Sequence, residues 1–337
     1  MKKSLSDISI LVILNMLGVM LIWRQEAVSS AIIESTKNCV YRIIPSLFAM
    51  TVISTAISNS GLVGMALQRS KIDANIFTAF LFGNIGGYPI GAKLLSEMVR
   101  DGRMNKSQAE KAIVFCFGSG PAFAAGVAGT AIFGDVRYGL AALSAGILAN
   151  LTLYFLYAVI SRESPKHTIN DSNGFTTSLM IESVSSSTNS MISICSMIVF
   201  FAALRAVIES VYPKLRDMKY LAGVLEISNI ASLSGLKGIS LVAVALLLSF
   251  GGLCVHMQLF AIIDGQFSLR TFYLSRIIAL PLAGAYAFLL EILLHRLPIF
   301  SAVTTKIRLS QSPSLIPIIC VIAMVFITIL EKGKRTN

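Results

Sequence analysis

The sequence predicts an all-α polytopic membrane protein, built as an inverted repeat with two re-entrant helical hairpins and broken transmembrane helices. Composition carries the first part of that expectation. Hydrophobic residues make up 55% of the 337 positions and charged residues only 13%, against the roughly 25% charged typical of a soluble domain. The second part comes from apolar runs near the roughly 20 residues that cross a bilayer, and the third from two glycine-broken stretches at matching places in the two halves.

Taken in order, spans are expected near 8–23, 39–63, 112–133, 138–160, 188–212, 270–293 and 313–330, with re-entrant hairpins at 75–98 and 239–263. The first run follows Lys2 and Lys3 and lacks a clear cleavage site before Trp23-Arg24, so it reads as a retained anchor. The stretch 24–38 has scattered charges and suits an amphipathic lead into the next span. Pro45 then either kinks that span or stands in its first turn. Asn105 or Ser107, with Glu110 beyond, suits a capped helix start. Basic residues on both sides of 75–98 (Arg69, Lys71, Arg100, Arg103, Lys106) place those loops and the N-terminus inside. The polar stretch 161–180 separates an N-terminal half, 1–160, from a C-terminal half, 181–337. Ser185, Ser186, Ser187, Thr188 and Asn189 open the second half as helix caps or pathway-lining groups.

The first break, Phe82-Gly83-Asn84-Ile85-Gly86-Gly87-Tyr88-Pro89-Ile90-Gly91-Ala92-Lys93, holds four glycines, a proline, an amide and a lysine. In a bilayer such backbone survives only where protein or a watery cavity covers it. The second is Leu248-Ser249-Phe250-Gly251-Gly252-Leu253-Cys254-Val255-His256-Met257-Gln258. Setting Gly86-Gly87 on Gly251-Gly252 brings Ile90 onto Val255 and Lys93 onto Gln258. Between the two halves, Gly118-Ser119-Gly120-Pro121 interrupts the run 112–133, either as a simple kink or as part of a shared polar pocket.

Backbone N–H groups at hairpin tips and half-helix N-termini are anion sites. The candidate substrate-binding residues are therefore Asn84, Gly86, Gly87, Pro89, Lys93, Ser119, Gly120, Pro121, Ser249, Gly251, Gly252 and Gln258, with Lys93 supplying the full charge and facing Gln258 across one cavity. Glu226, with Ser228 and Asn229, is the candidate for coupling to a proton or sodium ion, because an ionisable group within an apolar setting points to function. Arg276 can pair with Glu226 or face a water cavity. The five cysteines stand singly in apolar segments and the three histidines lie far apart, so no metal site, cofactor or catalytic centre is indicated. The net charge of +11 is dispersed over short loops, which fits membrane topology rather than nucleic-acid binding. The expected partners are the lipid bilayer, a small-molecule substrate and a coupling ion, with an oligomer left open.

Four elements, Gly83-Asn84-Ile85-Gly86-Gly87-Tyr88-Pro89-Ile90-Gly91-Ala92-Lys93, Gly120-Pro121-Ala122-Phe123, Leu225-Glu226-Ile227 and Ser249-Phe250-Gly251-Gly252 with Val255 and Gln258, resemble the YlbJ (SpoVV) sporulation integral membrane family. The resemblance runs over about residues 30–295. That family belongs to the nucleoside recognition (gate-domain) group and is similar in fold to concentrative nucleoside transporters. The resemblance implies two hairpins meeting near the bilayer midplane and, in endospore formers, movement of dipicolinic acid across the outer forespore membrane. Gly118-Ser119 departs from the pattern, which would have a more polar amide there. A nucleoside or other small-metabolite transporter, and a non-transporting sporulation scaffold, are the alternatives; an enzyme is not expected.

Overall fold

The computed structural model describes residues 2–68, 72–160, 174–236 and 238–296, and among them every regular element is a helix. The expected span 313–330 and most of the linker 161–180 lie outside the described residues. Among the described residues five helices are long and apolar enough to cross a membrane: Gln25–Ser60, Val136–Val159, Thr177–Val211, Leu241–Ile263 and Arg270–Leu294. The chain is a multi-pass α-helical membrane protein.

Helix α1 (Lys2–Trp23) exposes apolar side chains such as Ile8, Ile13, Ile22 and Trp23, as a lipid-facing helix does. After Arg24 the chain runs as α2 (Gln25–Ser60), so the stretch 24–38 extends the second span instead of merely leading into it. A wide turn at Cys39–Ile43, where the Ile44 N–H bonds to Cys39 O, sits just ahead of Pro45. Proline's missing donor is absorbed there without ending the helix.

Asp73 caps α3 (Ala74–Ile85) by accepting from the N–H groups of Asn75 and Ile76. At 12 residues this helix is about 18 Å long, too short to cross about 30 Å of hydrocarbon. A turn with a cis Tyr88–Pro89 bond leads into α4 (Ile90–Arg100). The two helices fold back on each other, since Asn75 at the start of α3 donates to Arg103 O just beyond α4 at 3.2 Å. Arg103 also reaches Ser58 O and Asn59 Oδ1 at the end of α2.

Asn105 caps α5 (Lys106–Ala112) in a capping box whose partner is Gln108, not Glu110; Glu110 instead accepts from the Ser268 N–H at 2.9 Å. The expected span 112–133 is not one helix. Residues 113–120 are unwound, and α6 (Pro121–Phe133) begins at Pro121, which fits a first-turn position because its lost donor is an orphan there. Gly134 turns the chain into α7 (Val136–Ile160). Helix α8 (Thr177–Val211) starts at Thr176, whose hydroxyl accepts from Leu179 N–H, so the serines 185–187 lie inside the helix and do not cap it. Helix α9 (Lys219–Leu225) and a 3₁₀ turn (Ile227–Leu233) flank Glu226.

The region 239–263 corrects the hairpin expectation. It forms α10 (Leu241–Phe250) and α11 (Gly252–Ile263), joined at Gly251, and the pair passes along α12 (Arg270–Arg296) from one end to the other. Leu241 N–H points to Glu291 at 3.5 Å, a β-carbon on Gly284 would meet Val242 and Leu246, and the His256 and Phe260 rings both pack on Tyr273. The 23 residues from Leu241 to Ile263 make a broken span about 35 Å long, not an entry and return.

Of the corresponding segments of the two halves, one pair packs antiparallel and another parallel. Helices α2 and α8 are antiparallel, as their contacts show: Val28 lies with Ala206 and Val207, Cys39 with Ile194 and Ile198, and Ile44 with Met191. The helices that follow the two Gly-Gly pairs, α4 and α11, run parallel instead. They start together, with Tyr88 and Phe117 at Gly251, and further along Ser96 Oγ donates to Ile262 O at 3.0 Å.

Candidate functional site

The unwound residues 113–120 lie in the middle of the molecule, and three buried side chains supply the donors that a helix would have supplied. Arg276 donates to Val114 O. Asn84 donates to Phe115 O at 3.0 Å, and Asn150 to Phe117 O at 2.7 Å. Asn150 also donates to Asn84 Oδ1 at 2.7 Å, so the two amides form one network. An exposed carbonyl in a bilayer costs several kcal/mol, and these residues remove that cost from the middle of the chain.

Glycine lets helices come up to this strand. A β-carbon on Gly91 would sit 1.9 Å from Cys116 O, and one on Gly83 would sit 2.5 Å from the same atom. Gly120 holds φ +73 and Gly251 φ +84, a region L side chains rarely adopt. The two break points meet here: a β-carbon on Gly120 would lie 3.0 Å from Gly87 Cα, and one on Gly251 would lie 2.7 Å from the Phe117 ring.

A small cavity with room for about one water opens beside the strand, lined among others by Phe117, Ser119, Asn150, Ser249 and Arg276. Among the described residues, Ser249 Oγ and Arg276 Nε are buried there without a hydrogen-bond partner. The Arg276 guanidinium lies 4.6 Å from the Phe272 ring centre and 5.5 Å from that of Phe117. Among the described residues no carboxylate comes within ion-pairing distance of it. An arginine deep in a bilayer costs about 2.5–3.5 kcal/mol on insertion scales, and cation–π contacts return roughly 0.5–2 kcal/mol.

Other expected residues are engaged elsewhere. Lys93 does not line the cavity: its Nζ lies 2.8 Å from Glu97 Oε1 and donates to Thr55 Oγ1 at 2.7 Å, with the lysine only 4% exposed. Ser186 from α8 donates to the same Glu97 oxygen at 2.6 Å. Gln258 is buried against Cys254 Sγ at 3.6 Å, and neither it nor Lys93 lines the cavity. Glu226 caps the 3₁₀ turn, accepting from both the backbone and the hydroxyl of Ser228, while Asn229 reaches Ala222 O at 3.4 Å. The trio therefore comes together as a local cap, and Arg276 does not pair with it.

Of the expected set, Ser119 and Ser249 line the cavity. Gly86, Gly87, Pro89, Gly120, Pro121, Gly251 and Gly252 shape the breaks around it, and Asn84 ties the strand. Asn150, Glu97 and His256 lie outside the set that the sequence pattern points to. Asn150 had one signal, a lone amide within an apolar run, and Glu97 had another, its place four residues after Lys93. No family model, curated protein or solved structure matches the chain.

Proposed function

We propose that this chain is a membrane transporter for a small anionic solute, with Arg276 as the residue that attracts the anion. The observation that carries the reading is a buried guanidinium with no carboxylate partner among the described residues, lining a cavity where an unwound segment meets a broken span. Discontinuous helices at mid-membrane are where transporters hold their solutes. Ser119 and Ser249 add hydroxyl donors. The fold-back of α3 and α4 supports a re-entrant hairpin at 75–98, because each helix is too short to span. Inversion is supported for α2 and α8 alone.

The resemblance to the YlbJ (SpoVV) family makes dipicolinate the first solute to try and nucleosides the second, with the outer forespore membrane as the corresponding location in an endospore former. Uptake of labelled dipicolinate, then of nucleosides, into proteoliposomes tests the reading. The expected result is saturable anion uptake that Arg276→Met abolishes and Arg276→Lys only partly restores, since lysine lacks the planar fork. Uptake of neutral nucleosides alone, unaffected by Arg276→Met, would overturn the anion reading; no uptake of either would favour the scaffold.

A further inference from the structure

The residue that stands behind the Arg276 cavity is His256, on α11 just past the Gly251-Gly252 break. It is 5% exposed, and its Nε2 lies 3.0 Å from Phe250 O. A carbonyl only accepts, so Nε2 carries the hydrogen and Nδ1 of the neutral ring is a bare lone pair. That Nδ1 is buried and meets no donor among the described residues. A buried acceptor left alone is unfavourable, and a proton is the smallest species that would satisfy it.

The surroundings decide when a proton can bind. The imidazole packs on Phe250, Phe272 and Tyr273 at 4.8, 5.8 and 5.5 Å and lies 6.2 Å from Phe117. Arg276 sits over the same Phe117 and Phe272 rings. The charged and titratable groups facing His256 are thus Arg276 and Tyr273 of α12, and Tyr88, whose ring stacks on Phe117. Among the described residues, the carboxylates on the other elements packed on α11 are hydrogen-bonded, paired or, as with Glu182 of α8, exposed at the surface. Glu226, against Gly252, is held by Ser228; Lys93 and Glu97 of α4 neutralise each other; Arg205 and Glu209 of α8 pair at 3.7 Å. Helix α10 carries no ionisable side chain, and α9 has only Lys219 and Tyr220 in its first turn.

A protonated His256 would place a second positive charge beside Arg276, and among the described residues no carboxylate pairs with either. An anion in the cavity reverses that balance. We propose that His256 is the proton-coupling residue, binding H⁺ at Nδ1 when an anion occupies the Arg276 cavity, so that the chain carries anion and proton together. The proton passes from hydronium to the Nδ1 lone pair, an O–H bond breaking as the N–H bond forms, and returns to water when the anion leaves. By linkage, each of the two ligands strengthens the other equally. This assignment rests on the cavity being an anion site, and it moves the coupling role from Glu226, whose oxygens Ser228 already occupies, to His256.

The test uses labelled dipicolinate and full-length protein in proteoliposomes holding a pH dye, comparing wild type with His256→Gln. Wild type should accumulate the anion at least tenfold under an acid-outside gradient and carry protons with it. The glutamine variant, whose amide can still donate to Phe250 O, should keep dipicolinate counterflow but lose gradient-driven accumulation and proton flux. A variant that accumulates anion and carries protons as wild type does would overturn the inference. Should the variant not fold, dipicolinate added to weakly buffered wild-type protein between pH 6 and 8 should draw protons from solution; binding without proton uptake would overturn it equally. Wild type that neither binds nor moves dipicolinate would instead remove the anion reading, and this inference with it.

Discussion

Replacing Asn150 by alanine removes two hydrogen bonds at once, those to Asn84 Oδ1 and Phe117 O, both at 2.7 Å. A buried hydrogen bond contributes about 1 kcal/mol net, and polar contacts between membrane helices average about 0.6 kcal/mol, so the expected loss is about 1–2 kcal/mol. Asn84→Ala should cost a similar amount, because it strips the donor from Phe115 O and the acceptor from Asn150. The double variant should fall short of the sum by the value of the shared bond, about 0.6–1 kcal/mol. Cys116, 1% exposed on the same strand, provides the readout. With the other cysteines replaced, its reaction with a thiol dye on heating in detergent reports opening of the strand itself. If the two substitutions add to within about 0.3 kcal/mol, the amides do not hold residues 113–120 as one network.

Lys93→Met should destabilise the protein by about 3 kcal/mol, because it leaves the Glu97 carboxylate buried without its cation, whereas Lys93→Met with Glu97→Gln should recover most of that loss; a thermal melt distinguishes them, and uptake by the double variant should match wild type. Gly91→Ala should prevent folding, since its β-carbon would stand 1.9 Å from a backbone oxygen, while Gly18→Ala, with nothing within 4 Å, should leave the melting temperature unchanged or raise it; fluorescence-detected gel filtration reads both. Hydrogen bonds from the Arg137 guanidinium hold the Asp135 carboxyl below the usual carboxylate range. Their stabilisation is complete above the unfolded value near about 4 and is lost as pH falls through the lower folded value, so the difference in melting temperature between wild type and Asp135→Asn should disappear on acidification; a difference that persists at low pH would refute the ionic origin.

Much of the architecture is legible in the chain because its causes are local. Apolar runs of bilayer length, the cap at Asn105 and the glycine and proline breaks near Gly86 and Gly251 all act within a few residues of themselves, so the membrane class and the positions of the breaks follow from sequence alone. Direction after a break does not. The same Gly-Gly signal precedes a helix that folds back at α4 and one that continues across at α11, because the packing partner, α3 in one case and α12 in the other, lies elsewhere in the chain. Charge assignment divides in the same way. Lys93 and Arg276 are both cations in apolar surroundings, and a glutamate one helical turn away neutralises the first. Which of them stands free was settled by tertiary structure, which wrapped the second in Phe117 and Phe272 with a backbone carbonyl and, among the described residues, no acid. A buried charge is defined by what faces it from other helices, and no single stretch of sequence contains that information.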